Sequence, residues 1–154
     1  MDEGGIYEDG TPEQIFDHPE GEKTRRFIRG LKILEMEIHN SSYDYPGMQA
    51  RIIRYCEKNQ IPRRMDMRLQ LIFEETVQQL IIPVLKTTDI RVVIEYSEET
   101  GKADYTVCYG GERADITMLK DQLPVSILKS AAENIRYTYC PEEELSNQVT
   151  MTVR

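Results

Sequence analysis

From residue 31 onward the apolar positions follow two different periods. Leu34, Met36 and Ile38 alternate with Glu35, Glu37 and His39, which predicts a half-buried strand over Leu31–Asn40 and puts His39 on its polar face. Helical spacing follows. Met48, Ile52, Tyr55 and Cys56 predict a helix from Asp44 to about Asn59, with Pro46 in its first turn and Ile61-Pro62 as its break. Leu69, Ile72, Phe73, Thr76 and Leu80 give a broad apolar face to a longer helix, from Asp66 to about Leu85, which Pro83 kinks or ends. Alternation then returns twice, in Ile90, Val92, Ile94, Tyr96 and in Ala103, Tyr105, Val107, Tyr109. Glu98–Lys102, holding Gly101, joins these two runs as a hairpin. A loop at Gly110-Gly111 leads to a helix from about Pro124 to Ala132, and strands over Ile135–Cys140 and Gln148–Val153 follow. The order strand, helix, helix, strand, strand, helix, strand, strand, with one apolar face per strand, predicts a two-layer α/β (α+β) sandwich. Its helices cover one face of a mixed, mainly antiparallel sheet.

Residues 1–30 read differently. Gly4–Glu8 is strand-like and Asp9-Gly10 is a turn. Thr11 as N-cap, Pro12 in the first turn and Gln14 closing a capping box start a short helix that ends at His18-Pro19. A second helix is expected from Glu22 to Arg29, ended by Gly30. The two helices carry too few apolar residues to form a core of their own and require another surface to pack on.

Composition narrows the class. The chain has 154 residues, 40% apolar and 30% charged, with a formal net charge of −8. That size suits one domain with a lead-in segment, and that charge disfavours general nucleic-acid binding, because phosphate repels it. The run Leu80–Leu85 is short and holds Pro83, so no membrane insertion is expected, and the acidic, Gly-rich start does not resemble a secretion signal. Cys56, Cys108 and Cys140 are widely spaced, which points to reduced thiols in small buried or half-buried positions. Neither His18 nor His39 has a metal-ligand spacing, so no metal and no cofactor are expected.

The first segment carries a specific motif. Residues 1–19 read M-D-x-G-x-I-x-E-x-G-x-P-x-x-I-F-x-x-P, followed by Thr24-Arg25-Arg26-Phe27-Ile28. This resembles the last stretch of the ATP-binding subunit of polar amino-acid ABC importers, where such a run forms a late strand, a turn and the closing helix. The resemblance implies that residues 1–30 are the C-terminal tail of an ABC ATPase domain and that Met1 falls partway along such a subunit. No G-x-x-x-x-G-K-[S/T] phosphate loop, signature motif or acidic Walker-B strand occurs in the chain; Gly101-Lys102 is followed by Ala103 in a hairpin.

Residues 31–154 resemble the histidine-kinase-like ATPase fold of the anti-sigma-factor type, in their element order and in Phe73-Glu74-Glu75-Thr76-Val77-Gln78-Gln79, which is similar to that family's E-x-x-x-N helix motif with Glu75 in the Glu position. The family's Mg²⁺-holding Asn is replaced by Gln79. Its adenine-reading Asp is replaced by Tyr109, within Tyr109-Gly110-Gly111. Its glycine-rich lid reads Leu123-Pro124-Val125-Ser126, where proline removes a donor. The resemblance therefore implies a degenerate member without catalysis, with a relict ligand pocket at Glu75, Gln79, Tyr109, Gly110 and Gly111. Read on their own, Glu74 and Glu75 are helix-surface carboxylates within reach of Arg63, Arg64 and Arg68.

Together these readings predict an appended regulatory or dimerisation domain on an amino-acid importer's ATP-binding subunit. It would be cytoplasmic, peripheral to the inner face of the membrane, and would act as a homodimer or by contact with transporter subunits. The alternatives are a divergent ATP-binding kinase-like domain and a small-metabolite sensor.

Overall fold

A computed structural model describes residues 31–120 and 122–154; the strand, turn and helices expected over residues 1–30 lie outside them. Five strands, β1 (Leu31–Ile38), β2 (Ile90–Ser97), β3 (Lys102–Tyr109), β4 (Glu133–Tyr139) and β5 (Asn147–Val153), form one sheet in the order β1-β2-β3-β5-β4. Every neighbouring pair is antiparallel, so the expectation of a mixed sheet resolves to a wholly antiparallel one. Helices α1 (Tyr45–Lys58), α2 (Arg63–Phe73), α3 (Ile82–Leu85) and α4 (Leu123–Ala131) accompany it, and the fold is the two-layer sandwich that the apolar periods predict.

The alternation translates directly into layers. One face of the sheet carries Met36, Val92, Val107, Val149 and Tyr137 in a single cross-strand row, flanked by the row Leu34, Ile94, Tyr105 and Met151. These meet Ile52, Leu69, Ile72, Phe73, Val77 and Leu80 from the helices in the buried core. The opposite face carries Glu35, Val93, Thr106, Thr150 and Arg136 in one row and Glu37, Arg91, Cys108, Gln148 and Thr138 in the next. A row of that composition gains little from burial, and among the described residues no element covers the second face.

Local chemistry sets the element ends. Asp44 caps α1, its carboxylate accepting from the Gly47 amide at 3.0 Å, with Pro46 in the first turn. Gln60 and Pro62 separate α1 from α2, Gln60 taking a left-handed φ of 57°. The long helix starts at Arg63, three residues before the position read from sequence, and is not uniform. Over Glu74–Ile81 it widens to π-helical turns before narrowing at α3. Two causes converge there. The Thr76 hydroxyl bonds the Ile72 carbonyl at 2.8 Å and so competes with the backbone ladder, and Pro83 has no N–H to supply the next rung. Lys86, at φ 60°, ends the helix. Asn134, at φ 53°, lies within the register shift between Glu133 and Arg136 in β4.

Candidate functional site

The five residues of the expected pocket lie on two elements, Glu75 and Gln79 on the π segment and Tyr109, Gly110 and Gly111 at the end of β3. Glu75 lies in the π segment and is buried, at 7% exposure. It is therefore not the helix-surface carboxylate that the sequence suggests, and among the described residues no Arg or Lys pairs with it. Arg68 turns instead to the backbone carbonyl of Arg154. Burial, and then the charge of Glu74, raise the Glu75 carboxyl above the ordinary carboxylate value. Tyr45 is near enough to feel the charges of Glu74 and Glu75. Tyr45 stacks on Phe73 with ring centres 5.9 Å apart, Tyr43 meets Tyr45 edge-on at 6.2 Å, and the Tyr43 hydroxyl donates to the Gln78 side chain. Desolvation, and then Tyr45, push the Tyr43 phenol up to about 12. Gln79, one helical turn beyond Glu75, is exposed.

Tyr109, Gly110 and Gly111 lie together at the end of β3. Their register partners explain what holds them. Ile38, Ile90, Tyr109, Asn147 and Tyr139 share one cross-strand row on the core face. Asn147 is fully buried, and its side chain is committed to the loop after β3. Its Oδ1 accepts from the Ala114 amide at 3.0 Å and the Tyr137 hydroxyl at 2.5 Å. Its Nδ2 donates to the carbonyls of Glu112 at 3.1 Å, Tyr109 at 3.3 Å and Gly110 at 3.4 Å. The Tyr109 hydroxyl donates to the Ala114 carbonyl and accepts from the Ile116 amide, and Ser146 donates to the Gly111 carbonyl. The Gly110 amide is spent on the Asp89 carbonyl at 3.2 Å. Arg113 lies over the Tyr139 ring, 5.7 Å from its centre.

The chemistry of this loop follows from where its polar groups point. A glycine loop that cradles an anion presents its amides outward, towards the ligand. Here the Gly110 and Ala114 amides bond inward, to Asp89 and Asn147. Gly111 does need its residue type: its φ is 92°, and a Cβ there would sit 3.1 Å from the Thr87 hydroxyl. That need is met by the turn itself. In the sequence Asn147 shows only as a polar residue at an apolar-phase position of β5.

His39 is exposed, 3.4 Å from the Glu37 carboxylate and 3.8 Å from that of Asp89. All three cysteines are free. Cys56 is buried and Cys108 half-buried, as expected, but Cys140 is exposed just past the end of β4. Desolvation, and then Asp66, push the Cys56 thiol up to about 12. Among the described residues no group of three His, Cys, Asp or Glu side chains could hold a metal ion, and no helix is long and apolar enough to cross a membrane.

No family model matches the chain. Its N-terminal region is similar to the probable amino-acid import ATP-binding protein YxeO of Bacillus subtilis strain 168, with 59% identity over 29 residues. The match covers 19% of this chain and 12% of that protein.

Proposed function

We propose that residues 31–154 are a regulatory or dimerisation domain carried on the ATP-binding subunit of an amino-acid ABC importer, with no catalysis and no cofactor of its own. The observation that carries this reading is the 59% identity over 29 residues to an amino-acid import ATP-binding protein. The rest of the chain is a folded sandwich with its own core and one polar sheet face that no described element covers. The loop that would have cradled a phosphate spends its Gly110 and Ala114 amides internally, which favours contact over chemistry. The domain would act at the cytoplasmic face of the membrane, by pairing with a second copy or by touching the transporter subunits, and so bias the ATPase dimer.

The test compares the importer whose ATP-binding subunit carries this chain with the same importer lacking residues 31–154, both reconstituted in vesicles. Removal of the domain is expected to change transport several-fold at unchanged nucleotide affinity, and sedimentation of the chain is expected to show a dimer. Unaltered transport together with a strict monomer would overturn the reading. Calorimetric heat on titrating Mg-ATP into the chain would instead support a divergent kinase-like ATP site at Glu75 and Gln79.

A further inference from the structure

A groove of about 800 Å³ opens between the start of β1 and the C-terminal half of α1. Lys32, Arg51, Arg54 and Lys58 line it, and Glu57 is the one carboxylate among the described lining residues. Residues 31–154 hold more acidic than basic side chains, so this excess of cations is local and runs against the balance of the domain. The cations also oppose one another. Arg51 and Arg54 are three positions apart on α1, and Arg54 and Lys58 four, so both neighbouring pairs on that stripe are like-charged, which weakens a helix. The helix dipole favours Lys58, in the last turn, but it does not reach back to Arg51. Among the described residues no carboxylate lies within ion-pair distance of Lys32, Arg54 or Lys58.

We infer that this groove binds a small organic anion that carries phosphate. Arg54 offers an exposed guanidinium fork, a geometry that takes two phosphate oxygens at once, and Lys32 and Lys58 add compact charges. The α1 cations extend over about 10 Å, room for a ligand longer than a bare phosphate ion. Ile33, Leu34 and Tyr55 supply apolar lining for its organic part. The walls are fixed to each other before a ligand arrives. Arg51 donates to the Glu35 carbonyl at 3.1 Å, and the Tyr55 hydroxyl donates to the Lys32 carbonyl at 2.5 Å, so binding has little to order. A phosphate polymer does not suit the site, because the chain's formal charge of −8 repels a backbone that runs on past the groove. An anion seated here also offsets the like-charge repulsion along α1. The site needs no importer, so its failure leaves the proposed function standing.

Titration of the full chain with phenyl phosphate, at constant ionic strength and without magnesium, tests it through amide chemical shifts. Saturable shifts are expected, largest at residues 32–34 and 51–59. Arg54→Gln, an exposed position outside the core, should weaken binding about tenfold with no loss of stability in a ligand-free thermal melt. Inorganic phosphate should bind several-fold more weakly than phenyl phosphate, because it has nothing to lay against Leu34 and Tyr55. Shifts that fail to saturate at millimolar ligand, that centre on Glu75 and Gln79, or that keep the same affinity in Arg54→Gln overturn the proposal. Inorganic phosphate or citrate binding as tightly as phenyl phosphate overturns it as well, because the groove then does not select an organic phosphate.

Discussion

At the scale of single residues, Asn147 and Glu75 carry the most consequence. Asn147 satisfies one amide, one hydroxyl and three carbonyls from a place with no access to water. Asn147→Ala strands several of them at once, and an unmet buried polar group costs about 1–3 kcal/mol, so a loss of about 3 kcal/mol is expected in urea denaturation. A loss below about 1 kcal/mol would show that the clamp is dispensable. Glu75 is predicted through its ionisation. Its carboxyl is raised above 4.5 by burial and then by Glu74, so the folded state holds that proton more tightly than the unfolded chain. The stability this contributes is complete below the ordinary value and is lost as the pH rises through the raised one. Glu75→Gln should therefore be more stable than the parent at pH 7, with the difference vanishing towards pH 4. A variant less stable at pH 7 would mean that the carboxylate has a favourable role when charged. Glu75 was legible as a candidate from its motif position, but its burial was not, because helical spacing alone places Glu74 and Glu75 side by side.

At the scale of elements, the period of two in β2 and β3 fixes which face is buried. Ile94 is fully buried and Thr138 is exposed on the opposite face of β4. Ile94→Ala should cost about 2–5 kcal/mol, through lost transfer energy and the cavity left behind. Thr138→Ala should stay within about 0.5 kcal/mol, as at most surface positions. Thermal melts of the pair check this, and equal losses would mean that both faces are covered in solution. The long helix shows the limit of periodicity. Its apolar stripe and Pro83 were readable, but the widening over Glu74–Ile81 was not. That widening follows from Thr76 bonding to the Ile72 carbonyl and to the hydroxyl of Tyr105, a partner 29 residues away on β3. The one-turn 3-10 segment Ile116–Met118 was likewise hidden, since it hangs on the Tyr109 hydroxyl and on Asp115, which accepts from the Thr117 amide.

At the scale of the whole molecule, the residues described after position 30 form a core of their own. A chain lacking residues 1–30 is therefore expected to keep its far-ultraviolet circular dichroism and a cooperative melt. A chain that melts without cooperativity would place part of the core in the first thirty residues. The sequence by itself determined the element order, the two layers, the buried face of each strand and the turn residues between them, because periodicity, caps and glycines act over a few positions. It also placed all of the net charge, since composition needs no fold. Only the tertiary structure decided the strand order β1-β2-β3-β5-β4 and its purely antiparallel pairing. Only the fold set Asn147 beside Tyr109 and turned the glycine loop inward. It also placed Lys32 near three α1 cations, Arg51, Arg54 and Lys58. The reason is physical. These relations join residues tens of positions apart, and their energy exists only once β5 has inserted beside β3 and α1 has packed against β1.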